Sequence, residues 1–587
     1  VNRSAIFLLL LVLASAPAFA QGGPPPGIGA GGPGGFGGGQ GQGAGRGQRP
    51  VRDPSQQRAD APRGTSVLRG QVIAADSGSP IRRAQVRVSS PDARESRVAT
   101  TDAQGRFELK ELPAGRYTMS ASKGGYVSLQ YGQRRPSESG TPIELGDGQA
   151  LEKIAIALPR GSVLGGRVTD EFGEPVANAS VTAWRYAYMA GARRLTPAGQ
   201  NARDTTDDQG HYRLFGLPPG DYYVSASLRP FGPEATDPSG DLSGYASTYY
   251  PGTSNAAEAG RVTLAIAQEN TGINFGLVAT KLVRVSGQVI SSQGTAVTNG
   301  AVTLIPAGAG GGPGLGIMQG GGGNRVDPTG TFRITNVAPG RYQMQARTGG
   351  REFELARMDL TVGAEDVEGL TLVTSPGANV NGAVVTDTGE PFDFRPQQLQ
   401  VAARAANPDS GGGPMPPARV GDDWSFQLRN INDAVLVRTN VPQGWTLKAV
   451  TLNGQDITDV PMEFPTGQNV SGMQLVLTKK VSALSGQVLD SKGTPALDAT
   501  VVVFPANDKL WTYQSRFIKA ARPDQSGRYQ MSALPGEDYL MIALQGLEDG
   551  QAGDPDFLAS IKDQGTKFSI SDGETKVVDV KLTDKSR

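Results

Sequence analysis

From Ser66 onward, short runs alternate apolar and polar residues, and each run is broken by Gly, Pro or Asp. Alternation with period two puts successive side chains on opposite faces, so these runs predict half-buried strands. No stretch keeps the 3.6-residue rhythm of an amphipathic helix. One order of runs returns five times. Each copy opens on a strand around a glycine: Leu68-Arg69-Gly70-Gln71-Val72, Leu164-Gly165-Gly166-Arg167-Val168, Val285-Ser286-Gly287-Gln288-Val289, Val380-Asn381-Gly382-Ala383-Val384 and Leu484-Ser485-Gly486-Gln487-Val488.

A turn glycine follows at Gly78, Gly173, Gly294, Gly389 and Gly493, with Pro80, Pro175, Pro391 and Pro495 two places on and Ala296 in the third copy. A second strand carries Val86, Val181, Val302, Val401 and Val501. Next comes an Asp-x-x-Gly-x-aromatic turn at Asp102, Asp327 and Asp524, and in the second copy at Asp208, where the spacing reads one residue tighter. Asp at the first position and Gly at the fourth suit a type I turn. A strand beginning at Phe107, Tyr212, Phe332 or Tyr529 leads to a Pro-Gly turn and a tyrosine: Tyr117, Tyr222, Tyr342 and Tyr539. Each copy ends on another short alternating strand, such as Ile154-Ala155-Ile156-Ala157-Leu158. Short strands punctuated in this way predict an all-β protein of five tandem antiparallel β-sandwiches, Ig-like or prealbumin-like, of roughly 100 residues each. The expected bounds are 66–159, 160–280, 281–374, 375–479 and 480–583. The fourth copy diverges, with Gly421-Asp422-Asp423-Trp424-Ser425-Phe426 in place of the Asp-x-x-Gly turn.

The order V-x-G-x-V, G-x-P, A-x-V, D-x-x-G-x-[FY], L-P-x-G-x-Y resembles the carboxypeptidase regulatory-like family. That resemblance implies small prealbumin-like sandwiches related to carbohydrate-binding-like folds, without catalytic residues of their own. It spans essentially all of residues 66–583.

Ahead of the repeats, Arg3, an apolar run over residues 6–13 and Ala18-Phe19-Ala20 form the pattern of a secretory signal peptide over 1–20, with cleavage expected after Ala20. The apolar run is far shorter than the roughly 20 residues of a membrane span. Residues 21–50 hold 15 Gly and 5 Pro, and 21–65 is expected to be a disordered tether. Export makes the periplasm or the exterior the expected location.

Composition narrows the chemistry. The 587 residues include no Cys and one His, which excludes thiolate sites and any site needing two imidazoles. Lys plus Arg and Asp plus Glu are balanced at 56 each, which argues against a nucleic-acid partner. His211 sits at a turn exit, and the adjacent acids Asp207-Asp208 and Asp422-Asp423 lack the ligand density of a calcium loop. No catalytic residue, metal or cofactor is expected.

Six aromatics remain as candidate ligand-stacking residues: Tyr126, Tyr131, Tyr245, Tyr249, Tyr250 and Trp511. A tyrosine offers an apolar face and a hydroxyl, which suits a sugar ring, but the same rings can pack over a sandwich edge or between domains. Insertions at one topological place, at 308–323, 407–417 and around Trp511, suggest a variable face. The expected function is non-catalytic binding of a polysaccharide or another cell-envelope component, with a structural spacer or adhesin as the alternative.

Overall fold

The computed structural model describes residues 64–91, 95–199, 201–228, 243–306, 325–350, 353–407 and 415–583. The signal-peptide segment, all of the tether but its last two residues, the 308–323 tract and most of the 407–417 tract lie outside the described residues. What is described belongs to one compact unit, Ala61–Arg587.

The first repeat shows the plan. Its strands are β1 (Ser66–Ala74), β2 (Gln85–Ser90), β3 (Glu95–Thr100), β4 (Arg106–Leu112), β5 (Gly115–Ser122), β6 (Leu129–Gln130), β7 (Ile143–Leu145) and β8 (Ala150–Leu158). One sheet runs β4-β1-β8 and the other β3-β2-β5, with β6 and β7 on the far side of β5. Alternating residues of both sheets meet in a core that includes Leu68, Val72, Val86, Val88, Phe107, Tyr117 and Met119. Among the described residues, core clusters of this kind follow one another along the chain, one in each repeat. The second-strand valines Val86, Val181, Val302, Val401 and Val501 are all fully buried. The fold is all-β, with one α-helix among the described residues, Pro555–Ile561.

Pairing differs from the purely antiparallel expectation in one respect. The closing strand of each repeat runs parallel to the opening strand, as β8 does to β1. Period-two alternation carries no information about direction. Parallel partners only need a long connection, and here a whole repeat lies between them.

This pairing explains the opening glycine. A Cβ on Gly70, Gly166, Gly287 or Gly486 would collide with a closing-strand carbonyl, that of Ile154, Ile273, Leu370 or Val578. The aromatic after the Asp turn lies over the same glycine, Phe107 over Gly70 and Phe426 over Gly382. Where that aromatic is a tyrosine, its hydroxyl donates to the crowding carbonyl: Tyr212 to Ile273 O at 2.7 Å and Tyr529 to Val578 O at 2.6 Å. Burial pushes both hydroxyls above their ordinary pKa.

The Asp turns form as local chemistry dictates. Asp102 Oδ1 accepts from the N–H groups of Gln104 and Arg106 at 2.9 and 2.8 Å, and Gly105 takes the left-handed conformation. The second repeat corrects the expected register. Asp207, not Asp208, caps the turn, accepting from Gln209 and His211 N–H, so the spacing matches that of the other copies. Two adjacent acids made the register ambiguous in sequence. In the fourth repeat the turn survives with different residues: Gly421 N–H donates to Ser425 O, Trp424 N–H donates to Gly421 O, and Trp424 holds the glycine position.

Candidate functional site: the fifth repeat and the aromatic positions

The fifth repeat departs from the plan in two loops. Residues 507–518 enclose Trp511, and residues 546–565 carry the helix, whose Asp554 side chain caps it by accepting from Asp556 N–H. Together with the outer face of the sheet they form a second core of Val502, Phe504, Trp511, Leu540, Ile542, Leu558 and Ile561. The strand Ala499–Pro505 is accordingly buried on both faces rather than alternating.

Three other repeats dock on the fifth, each touching one of these additions. From the first, Ser137 O accepts from Asp549 N–H at 2.6 Å, the Ser139 hydroxyl donates to the Asp549 carboxylate, and Glu138 and Glu548 form an antiparallel bridge. Arg522, only 5 % exposed, donates to Ser139 O at 2.7 Å. Gln525 occupies the second position of the Asp524 turn, and its amide pairs with both backbone groups of Glu144 in β7, at 3.0 and 2.7 Å. The side chain thus behaves as one more rung on that sheet edge. Arg134 adds a 2.5 Å ion pair to Asp498.

From the second repeat, the hairpin of Ser180–Met189 and Ala192–Pro197 brings its tip against the 546–565 loop. There Tyr188 O packs on Gly550, Gly191 faces Gly553 O, and Gln551 hydrogen-bonds the Tyr188 side chain. From the fourth, Asp459 lies between two arginines, 3.0 Å from Arg438 and 2.7 Å from Arg516. Arg516 also donates to Leu447 O at 2.9 Å, which ties the Trp511 loop to the neighbouring repeat. Burial lowers the pKa of the Arg438 guanidinium, and the Asp459 carboxylate opposes that shift.

The six candidate aromatics take up packing positions. Tyr126 and Tyr131 are half-buried against the first core. Burial raises the Tyr131 hydroxyl pKa, and the loop after Tyr131 leads into the contacts with Asp549 and Arg522. Tyr245 packs against the second core, and its hydroxyl donates to Glu171 Oε2 at 2.6 Å. Burial first, then that bond, push its pKa up to about 12. Tyr249 is half-buried with a raised pKa, and Tyr250 meets Phe275 edge-on at 6.2 Å. Trp511 is 8 % exposed, meets Phe504 edge-on at 5.7 Å and donates its Nε1–H to Pro505 O at 2.8 Å. That ring has no free face, because the second core surrounds it. Tyr126 and Tyr131 pack on one core, Tyr245 and Tyr250 on a second, and Trp511 lies in a third.

His211 is exposed, with Nδ1 3.7 Å from Asp207. No group of three or more His, Asp or Glu among the described residues is placed to hold a metal. No helix among them is long and apolar enough to cross a membrane.

The carboxypeptidase regulatory-like domain matches residues 67–159 and 163–275, within the first and second repeats. The first two repeats are thus similar to carboxypeptidase regulatory-like domains. The third and fifth repeat the domain's Asp turn, Pro-Gly turn and buried tyrosine. No curated protein matches the chain. Solved structures similar to it include a Streptococcal ancillary pilin, with 16% identity, 53% of this chain, 98% of that one and a TM-score of 0.21. Another is the minor pilin GBS52 of Streptococcus agalactiae, with 18% identity, 36% of this chain, 97% of that one and a TM-score of 0.21. A third is the Bacillus anthracis TIE protein, with 16% identity, 53% of this chain and a TM-score of 0.16; the match spans 51% of that protein's length.

Proposed function

We propose that this chain is an exported, non-catalytic structural protein of the cell envelope, whose carboxypeptidase regulatory-like repeats are cross-docked through the fifth. The observation that carries this reading is the docking of three other repeats on the fifth, each touching one of the loops peculiar to it. A simple string of binding modules needs no such contacts, since default relative motion between domains suits independent ligands. A load-bearing or spacing element gains from them, because each contact fixes one repeat against another. Trp511 serves the same end, its ring enclosed in the second core of the fifth repeat.

The test has two arms. Fractionation of the native cells should recover the protein in the periplasm, the envelope or the medium; recovery in the cytoplasm would overturn the reading. Small-angle scattering should then show the purified chain expanding when Gln525→Ala and Asp549→Ala are combined. An unchanged radius of gyration would mean that the docking does not hold the repeats together.

A further inference from the structure

The geometry points to a carbohydrate-binding site on the fourth repeat, centred on Trp424 and Phe392, a site that goes beyond the structural role proposed above. It starts from a substitution at one turn. In four repeats the turn ends on a glycine with positive φ: Gly105 at 71°, Gly210 at 76°, Gly330 at 85° and Gly527 at 80°. Trp424 holds the same place with φ of 64°, and its carbonyl accepts from Val384 N–H as Gly105 O does from Val72 N–H. It is the one aromatic with positive φ among the described residues. A left-handed conformation costs a non-glycine residue on the order of 1 kcal/mol, and such strain persists where something else requires the side chain.

The neighbouring loop has moved to receive the ring. In the sister repeats a Cβ at the glycine would press on Pro80, Pro175, Ala296 or Pro495. Those residues are held by a bridge to the opening strand, and the next residue (Ile81, Val176, Val297 or Ala496) is buried in the core. No such bridge holds Pro391 among the described residues. Phe392, in the core position of its sisters, instead stacks on Trp424, with centroids 3.8 Å apart and planes at 29°. Phe394 meets Trp424 edge-on at 5.6 Å, and Trp445 underlies both phenylalanines at 5.4 and 5.5 Å. Trp445 is buried, whereas Phe392, Phe394 and Trp424 are half-buried, packed against the fourth core with part of each ring still reached by solvent.

The rim is polar and already ordered. Asp393 accepts from Trp445 Nε1–H at 2.9 Å and pairs with Lys479 at 2.8 Å. The Gln397 amide donates to the Asp422 carboxylate, and Asp423 accepts from the Ser425 hydroxyl at 2.7 Å. Asp393, Gln397, Asp422 and Asp423 are all exposed. Flat apolar rings bordered by carboxylates and an amide match a pyranose, whose C–H face packs on an aromatic while its hydroxyls donate and accept at the edge. An anionic ligand would meet three carboxylates, so the site suits neutral sugars.

Isothermal titration calorimetry of the full chain with maltoheptaose, cellohexaose and chitohexaose tests the proposal. At least one should give saturable binding that Trp424→Gly weakens tenfold or more, while the unfolding midpoint holds or rises because glycine relieves the strain. Trp424→Asn, which also tolerates positive φ, should behave alike if the glycine variant folds poorly. No saturable binding with any of the three sugars overturns the site, as does equal binding by folded Trp424 variants. Neither result touches the fractionation on which the structural reading rests.

Discussion

The hydroxyl of Tyr117 donates to the carbonyl of Pro113 at 2.8 Å, four residues back across the turn that the Pro-Gly pair makes. The same bond joins Tyr342 to Ala338 and Tyr539 to Pro535, each at 2.8 Å, and Tyr222 to Pro218. In each case the ring is buried in the core and the hydroxyl reaches out to the turn. Burial pushes the Tyr222 hydroxyl up to about 12, so it stays a donor at any physiological pH. The tyrosine therefore joins two things the repeat needs, core volume and a fixed turn.

Replacing that hydroxyl isolates the second role. Tyr117→Phe keeps the ring and should cost about 1 kcal/mol, the net value of a hydrogen bond whose acceptor water can still reach. Tyr117→Ala should cost about 3 to 5 kcal/mol by opening a cavity. Urea unfolding of both variants separates the two contributions. A phenylalanine variant as stable as the parent would show that the ring alone sets the turn.

Gly486 gives a sharper version of the same reasoning. Its missing Cβ makes room for Val578 O, which in turn accepts from Tyr529. Gly486→Ala must push the closing strand away, at roughly 1 to 3 kcal/mol for overpacking, and lengthen the Tyr529 bond. Native-state hydrogen exchange should show the loss first at Val578, whose N–H donates to Ser485 O in this same rung. Exchange unchanged there would mean the strand pairing tolerates the methyl group.

How far these relationships could be read in the sequence depends on how local they are. Asp102 and Gly105 act within four residues, so their turn is legible from residue type alone. The opening glycine was visible as a pattern, but its reason lies some 80 residues away at Ile154, and alternation cannot reveal that the two strands run parallel. Asp207 and Asp208 are chemically equal candidates until the backbone chooses. Gln525 and Asp459 carry no signature at all, since any turn residue and any acid could stand there. Their role exists only because distant repeats come together. Trp424 was seen as a departure from the pattern; only its φ and its stacking on Phe392 give it a candidate purpose.

Asp459 should behave as the pivot between the fourth and fifth repeats. Asp459→Ala leaves Arg438 and Arg516 facing each other, both mostly shielded from water, without their shared carboxylate. Removing one member of a partly buried charge cluster costs about 2 to 4 kcal/mol, more than the cluster itself contributes. Asp459→Asn keeps two acceptor lone pairs and should lose about half as much. Limited proteolysis should then cut first in the 479–483 linker, and a cleavage pattern identical to the parent's would remove Asp459 from this role.

Lys519 supplies a pH test of the same region. Burial first, and then the Arg516 guanidinium, push its ammonium down to about 8, while the ammonium donates to the backbone carbonyl of Ser532. A lysine whose folded pKa lies below the unfolded value of about 10.4 binds its proton more weakly in the folded state. The unfolded chain therefore holds more protons between the two values, and stability from this group rises as pH climbs from about 8 to about 10. Below pH 8 both states are protonated and the charge is a constant burden. Lys519→Met removes that burden, so it should stabilise the fifth repeat at pH 7 by on the order of 1 to 2 kcal/mol, and by much less at pH 10. Thermal unfolding of parent and variant at the two pH values decides it. A gain equal at both would show that Lys519 keeps its ordinary proton affinity in the folded repeat.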